Sequence, residues 1–211
     1  MKSKTKNIFV DLDGTLLDIE SRYLNLFDYM CKIFQINKIS SSEFWQQKRG
    51  GKTNIQILSQ LDYDENLSIN FHSKWVSLIE ENFWLGFDSL QIDTVDFLNW
   101  TIEKEFKIFL LTGRNNRQNL VQQLKKLGIH HYFESIFNVD TSEMVNQKKI
   151  FLEEYKPKLF IGDSEFDYLS CKGLDINFFC VSNGFRNKTF LQKNKIPNIF
   201  ENLTEVTKKI F

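Results

Sequence analysis

Residues 7–18 read Asn-Ile-Phe-Val-Asp-Leu-Asp-Gly-Thr-Leu-Leu-Asp, a short apolar run followed at once by carboxylates. The run at 7–10 is typical of a β-strand that is buried on both faces. Asp11 and Asp13 come directly after it, and burying two unpaired carboxylates in a core would cost too much free energy. Ligands bind at the carboxyl ends of strands in open α/β sheets, so this stretch predicts a strand that presents two acidic groups to a ligand.

The same pattern of a short apolar run followed by a helical segment recurs along the chain. Further strands are predicted at 107–111, 159–161 and 178–181, with a weaker candidate at 135–139. Strands that alternate with helices indicate an α/β fold, a doubly wound and mainly parallel sheet. Two of the intervening helices are defined by apolar stripes: Ile92, Val95, Leu98 and Ile102 in one, and Leu120, Val121, Leu124 and Leu127 in the other. A third predicted helix contains Met144, Ile150, Phe151 and Tyr155.

Residues 18–85 interrupt this alternation, because they contain no convincing strand. Apolar residues with helical spacing predict a helix over 23–34 and another that includes Trp75 and Asn82. We interpret the segment as a helical insertion that returns to the sheet near residues 85–87. The predicted domains are therefore 1–17 with 86–211, and 18–85. Five aromatic residues of the insertion are interpreted as its own core: Trp45, Phe71, Trp75, Phe83 and Trp84.

Composition and charge exclude several classes of protein. The 211 residues hold 27 Lys and Arg against 27 Asp and Glu, whereas nucleic-acid-binding proteins usually show a basic excess. The sequence has no uncharged apolar stretch long enough to span a membrane, and no apolar region of a signal peptide follows the basic start. Its three cysteines include no Cys-x-x-Cys pair, which argues against structural disulfides and fits a cytoplasmic protein.

Three further segments carry polar groups at or near predicted strand ends. Thr112 and Gly113 offer a hydroxyl and an amide suited to a phosphate oxygen, and Lys148 with Lys149 adds positive charge at the start of a helix. Residues 162–167 place Asp163 and Asp167 beside another strand end. Carboxylates that converge on one sheet edge repel one another, and a divalent cation relieves that repulsion. Oxygen ligands alone favour Mg²⁺ over Zn²⁺.

Together these segments resemble the four motifs of the haloacid dehalogenase superfamily, in the right order and with sensible gaps. The helical insertion directly after the first motif resembles the cap of its phosphoglycolate-phosphatase-like branch, so 18–85 would be a cap and the rest a Rossmann-like catalytic core. The resemblance implies a Mg²⁺-dependent phosphatase of small phosphorylated metabolites that works through an aspartyl-phosphate. It further implies a role for each motif residue: Asp11 as nucleophile, Asp13 as acid and base, Thr112, Gly113 and a lysine as phosphate ligands, and Asp11, Asp13 (through its carbonyl), Asp163 and Asp167 around the metal.

Several alternatives stay open at this point. Lys148 is favoured over Lys149 as the phosphate ligand, because Phe151, Leu152 and Tyr155 follow it at core-facing spacing. Arg49, Lys52 and Arg114 are candidates for binding a second acidic group of the substrate. A phosphosugar mutase would use the same motifs, and a non-catalytic module that binds phosphate or a protein is the third hypothesis.

Overall fold

The computed structural model describes residues 7–210, so residues 1–6 and 211 of the predicted core lie outside the described part. Its main sheet has six parallel strands in the order β5-β4-β1-β6-β7-β8 with helices packed around it, which confirms the predicted fold class. The strands are β1 (Asn7–Val10), β4 (Lys107–Thr112), β5 (Phe133–Asn138), β6 (Leu159–Gly162), β7 (Asn177–Val181) and β8 (Ile199–Phe200).

The strands form where the sequence is continuously apolar, because both faces of the sheet are covered. In β1, Ile8 and Val10 pack into one hydrophobic cluster and Phe9 packs into a second. The Phe9 ring stacks on Phe109 of the neighbouring strand β4 with 5.0 Å between centroids. The two clusters therefore occupy opposite faces of the sheet, as alternation along a strand requires.

Strand β1 lies in the middle of the sheet, between β4 and β6. The chain first builds outward through β4 and β5, and then crosses to the other side of β1 to build β6, β7 and β8. This change of direction is a topological switch point, where the loops at the carboxyl ends of neighbouring strands separate and leave a crevice.

A two-stranded antiparallel ribbon, β2 (Leu17–Asp18) with β3 (Ser89–Leu90), brackets the helical insertion. Sequence analysis missed it because two-residue strands carry no periodicity. The insertion has its own hydrophobic cluster, which includes Leu26, Phe44 and Phe71, and the domain boundaries stay a prediction. Its helices are α1 (Glu20–Phe34), α2 (Ser41–Arg49), α3 (Asn54–Ser59), α4 (Glu65–Leu78) and α5 (Asn82–Leu85).

Two predictions within the insertion are wrong. Asn82 begins α5 instead of continuing the helix of Trp75, because α4 ends at Leu78. Phe83 is 68% exposed and does not belong to the core, whereas Trp45, Phe71, Trp75 and Trp84 are buried. The four-residue helix α5 buries Trp84 and Leu85 and leaves the preceding ring outside.

The remaining helices flank the sheet, and one of them faces the core differently from the prediction. Ile92 is 97% exposed, and the side of α6 that packs inward carries Phe97 and Leu98. The Thr94 hydroxyl fixes this rotation by donating to the Leu16 carbonyl at 2.6 Å. Leu98 of the predicted stripe is buried, but the inward side of the helix also carries Thr94 and Thr101, whose hydroxyls interrupt an apolar pattern. These helices are α6 (Thr94–Glu103), α7 (Arg117–Lys126), α8 (Met144–Tyr155), α9 (Glu165–Cys171), α10 (Lys188–Lys193) and α11 (Leu203–Lys209).

The three cysteines are free, as expected from their spacing. Cys171 and Cys180 are buried free thiols, and Cys31 is a partly buried one. Across residues 7–210, no helix has both the length and the apolar character needed to cross a membrane.

Candidate active site

The predicted site residues meet at the carboxyl ends of three adjacent strands. Asp11 follows β1, Thr112 ends β4, and Asp163 follows β6. Their side chains line one cavity of about 240 Å³. The same cavity is lined by Asp13, Gly113, Lys148 and Asp167, so all seven predicted residues are brought together.

An acidic cluster forms the floor of this cavity. Asp11, Asp163 and Asp167 are all buried, and each offers one carboxylate oxygen within 4.8 Å of the others. Lys148 lies among them with 1% of its surface exposed. Its Nζ donates to Asp11 Oδ1 at 2.7 Å and to Asp167 Oδ1 at 2.6 Å. Three buried carboxylates thus share one ammonium group.

Burial dominates the titration of these carboxylates. It raises the pKa of Asp11 to about 7, although the nearby Lys148 ammonium lowers it. Burial, reinforced by the charges of Asp167 and Asp11, raises the pKa of Asp163 well above its usual range. Burial alone would lower the pKa of Lys148, but Asp11 and Asp167 outweigh it and raise that pKa. The lysine therefore stays protonated, whereas Asp11 and Asp163 resist ionisation.

Asp167 both caps a helix and orients the lysine. Ser164 begins α9 with a capping box in which its hydroxyl accepts from the Asp167 amide and Asp167 Oδ2 accepts from the Ser164 amide. The other oxygen, Oδ1, is left free to accept from Lys148. One carboxylate therefore caps the helix with Oδ2 and binds the lysine with Oδ1.

Two glycines allow the loops of the site to approach each other closely. Gly14 has a φ of +81°, and a Cβ there would collide with Asp163 Oδ2 and the Phe185 amide. A Cβ on Gly184 would collide with the Gly14 carbonyl and with Asp163. With both Cβ atoms absent, the Phe185 N–H reaches Asp163 Oδ2 and donates to it at 2.5 Å.

Asp13 points away from the acidic cluster toward two arginines. It accepts from Nε and Nη2 of Arg114, and Arg22 Nη2 lies 3.0 Å from its Oδ1. Arg22 Nε also lies 3.0 Å from Asp88, whose side chain is fully buried. Burial would raise the pKa of Asp13, but Arg114 and Arg22 outweigh it and hold that pKa well below its usual value. Two arginines and two aspartates thus form a second buried cluster, which is neutral.

The acidic cluster fits a bound divalent cation. Asp11, Asp163 and Asp167 present three convergent oxygen ligands, and the single ammonium of Lys148 leaves them with excess negative charge. Hard oxygen donors without histidine or cysteine suit Mg²⁺ better than Zn²⁺. The side chain of Asp13 is occupied by arginines, so this residue can reach a cation only through its backbone carbonyl, as the resemblance implies.

The structure places the predicted Lys148 in the cavity, beside Asp11, whereas the three cations proposed to bind a second acidic group of the substrate do not line it. Lys148 contacts Asp11, whereas Lys149 is partly exposed. Arg49 donates to the carbonyls of Ser182 and Gly184 instead of lining the cavity. The proposals for Lys52 and Arg114 as substrate ligands are likewise corrected, because Lys52 donates to Gln47 and Gln60 within the insertion and Arg114 binds Asp13. Each cation already has a protein partner of its own.

Sequence analysis missed Arg22, Asp88 and Ser164, which hold the aspartates of the site through ion pairs and hydrogen bonds. Arg22 lies on the apolar stripe of α1 between Ile19 and Leu26, and a charge at such a position is the signal that could have revealed it. Ser164 stands three residues before an acidic residue, which is the pattern of a capping box. Nothing in the sequence around Asp88 distinguishes it from an ordinary turn residue.

The fold and this acidic site define a hydrolase class with an α/β core. Residues 8–181 match the model of the haloacid dehalogenase-like hydrolases, and the chain therefore belongs to that family. No curated protein matches the chain.

Solved structures similar to the chain share its fold along nearly the full length. A haloacid dehalogenase-like family hydrolase from Streptococcus pneumoniae superposes with a TM-score of 0.76 at 18% identity, covering 98% of this chain and 99% of its own. A predicted phosphatase from Clostridium acetobutylicum gives 0.73 at 18% identity, with 99% of each chain covered. A predicted phosphoglycolate phosphatase from Haemophilus somnus gives 0.73 at 16% identity and full coverage of both chains.

Proposed function

We propose that this hydrolase is a Mg²⁺-dependent phosphatase that acts on small phosphomonoesters through an aspartyl-phosphate on Asp11. The observation that carries the proposal is the position of Asp11 at the end of the central strand, 2.7 Å from the buried Lys148 and in one cavity with a second carboxylate, Asp13. The phosphatase names of the similar structures from Clostridium and Haemophilus agree with it.

In the first step, a carboxylate oxygen of Asp11 attacks phosphorus and the bond to the leaving oxygen breaks. Lys148, Thr112 and the Gly113 amide neutralise the charge of the transferring phosphoryl group. A protonated Asp13 gives its proton to the leaving alkoxide. This is the demanding part of the cycle, because Arg22 and Arg114 hold the pKa of Asp13 low.

In the second step, Asp13 acts as a base. Its carboxylate takes a proton from water, the water oxygen attacks the phosphorus of the aspartyl-phosphate, and the bond to Asp11 breaks. Phosphate leaves, Asp11 is regenerated, and Asp13 holds the proton that the next cycle needs. The ionised form that the arginines favour is the form this step requires.

Asp11, Asp163 and Asp167, with the backbone carbonyl of Asp13, would hold the magnesium ion. When bound, Mg²⁺ supplies positive charge that stabilises the transferring phosphoryl group. The protein residues keep the remaining tasks: Asp163 is fixed by the Phe185 amide, and Asp167 is fixed by Ser164.

The helical insertion would act as a cap over the cavity. Ile19 and Tyr23, at the start of this segment, line the cavity from its side. Arg49 of α2 ties the insertion to the loop after β7 through the carbonyls of Ser182 and Gly184. A cap held close to the sheet edge excludes water and leaves room for a compact ester instead of a folded phosphoprotein.

The test is a panel of small phosphate esters, p-nitrophenyl phosphate included, incubated with purified protein and Mg²⁺. We expect turnover that EDTA removes and that is absent in Asp11→Asn, while the exposed Asp62→Asn serves as a matched control with normal activity. Asp13→Asn should lose most activity on alkyl esters and least on aryl esters, whose leaving groups need little protonation. Rapid hydrolysis by folded Asp11→Asn would refute the mechanism, and dependence on a bisphosphate activator would identify a mutase.

A further inference from the structure

The cavity lining outside the predicted site residues carries no charge. Besides the seven predicted site residues and Ser164, which binds Asp167, six residues line it. All six are apolar, aromatic or hydroxyl-bearing: Ile19, Tyr23, Thr141, Met144, Phe166 and Phe185. A substrate held by its phosphate at Asp11 and Lys148 would therefore place its remaining atoms against an uncharged and largely apolar wall.

The aromatic part of this wall is fixed by packing. The Phe185 ring lies 5.4 Å from Tyr23 and 6.0 Å from the buried Trp45, measured between centroids. The Arg186 guanidinium lies 4.3 Å from the centre of the same ring. A rigid aromatic wall favours a flat or apolar group, because such a group loses water contact without leaving a polar atom unpaired.

The arginines around the cavity are already engaged by protein groups. Arg22 and Arg114 share Asp13 and Asp88, and although the buried Nη1 of Arg114 has no hydrogen-bond partner, neither arginine lines the cavity. Arg186 makes two bonds of 2.7 Å to the Glu165 carboxylate. A carboxylate on the leaving group would have to break one of these buried pairs or remain unpaired, and both are costly.

Among residues 7–210, two further cations lie near this wall and have no carboxylate among the ion pairs above: Arg49, which donates to the carbonyls of Ser182 and Gly184 and does not line the cavity, and Lys48. Its Nζ lies 5.9 Å from the centre of the Phe185 ring, but Lys48 does not line the cavity. Burial, and then the charge of Arg186, lowers its pKa to about 7. Lys48 is therefore a weak candidate for binding an anionic leaving group, and the experiment below tests it directly.

The geometry points to a specific class of substrate: a phosphate monoester whose leaving group is uncharged and carries a compact apolar or aromatic body. The cavity of about 240 Å³ lies below the ~300–1,000 Å³ typical for drug-sized ligands, so we expect the part of the substrate inside it to be compact, a phosphate with about one ring. This inference rests on the proposed phosphatase function.

Matched pairs of esters test the two parts of the inference. For charge, 2-phosphoglycolate is compared with its amide, which has the same shape without the carboxylate. For the apolar body, benzyl phosphate is compared with ethyl phosphate, since both leave as alcohols. We expect kcat/KM to be at least about tenfold higher for the amide and for the benzyl ester, because a buried unpaired charge and a lost apolar contact each cost at least that much.

Substitutions then assign the preference to residues. Phe166→Ala should raise KM for benzyl phosphate and lower the ratio of kcat/KM for benzyl phosphate to that for ethyl phosphate severalfold. Phe166→Leu should give values between those of the wild type and Phe166→Ala. The exposed Phe83→Ala is the matched control and should change neither value. Lys48→Met should leave the ratio between phosphoglycolate and its amide unchanged.

Three outcomes would overturn the inference. Equal or higher kcat/KM for phosphoglycolate than for its amide would show that the site accepts the negative charge. A selective loss of phosphoglycolate turnover in Lys48→Met would assign that charge to Lys48. If no ester is hydrolysed, p-nitrophenyl phosphate included, the proposed function fails and the inference fails with it; turnover with the opposite preference contradicts the inference alone.

Discussion

Replacing Asp11 with asparagine should abolish turnover and yet stabilise the metal-free protein at pH 8. Asp11 is 6% exposed, and its carboxylate shares Lys148 with Asp167. Burial raises the pKa of Asp11 from 3.8 to about 7, which means that ionising this group in the folded state is unfavourable. Asparagine keeps the shape of the side chain and removes the charge.

The sign of the pH dependence follows from this shift. Because the folded protein binds the Asp11 proton more tightly than the unfolded chain, the free energy of unfolding falls as pH rises from about 4 to about 7. Each pKa unit corresponds to about 1.4 kcal/mol, so about three units set an upper bound of about 4 kcal/mol. Asparagine also replaces a charged partner of Lys148 with a neutral one, which costs part of this stabilisation. We therefore expect the free energy of unfolding of the variant to exceed that of the wild type by roughly 2 kcal/mol at pH 8.

Urea unfolding in EDTA at pH 4.5 and pH 8 measures this difference for the wild type, Asp11→Asn and the exposed control Asp62→Asn. The increase in the free energy of unfolding caused by Asp11→Asn should be small at pH 4.5 and large at pH 8. Saturating Mg²⁺ should stabilise the wild type more than the variant, which reduces the difference between their free energies of unfolding. A variant less stable than the wild type at pH 8 without metal, or a gap equal at both pH values, would refute the reasoning.

Two further predictions concern the buried cations. Lys148→Met should remove activity and cost about 3–5 kcal/mol of stability, because it leaves three buried carboxylates without a cation. Lys149→Met should change stability by no more than about 0.5 kcal/mol. Equal losses for the two variants in activity assays and urea unfolding would contradict the assignment of Lys148. Arg22→Met should cost about 3 kcal/mol of stability, because it leaves the buried Asp88 with only the more distant Arg114 as a cationic partner. Adding Asp88→Asn should recover at least ~1 kcal/mol by removing that charge, and additive losses in a double-mutant cycle would contradict the pairing.

The sequence predicted those parts of the fold that rest on local patterns. Strands β1, β4, β6 and β7 are continuous apolar runs because both faces of the sheet are covered, and β5 was found despite its weaker pattern. The site followed from the fold, since parallel strands bring Asp11, Thr112 and Asp163 to one edge whatever their separation in the chain. Periodicity also selected Lys148, which the structure places beside Asp11.

The errors arose where distant contacts decide the outcome. The rotation of α6 depends on the Thr94 bond to Leu16, which no local pattern shows. The partners of Arg114 are Asp13 and Asp88, and both lie far from it in sequence. A basic residue beside a motif was therefore interpreted as a substrate ligand, although in the structure it neutralises the protein's own carboxylate.

The two buried clusters differ in how their carboxylate charges are balanced. Around Asp13, two arginines balance two aspartates, so that cluster is complete within the protein. Around Asp11, one lysine faces three carboxylates, so the formal charges do not cancel; burial, reinforced by the neighbouring carboxylates, raises the pKa of both Asp11 and Asp163. A phosphate ester is itself an anion and would be repelled by such a site. Binding of the substrate and binding of a divalent cation should therefore be coupled, because the cation supplies the charge that this chain leaves out.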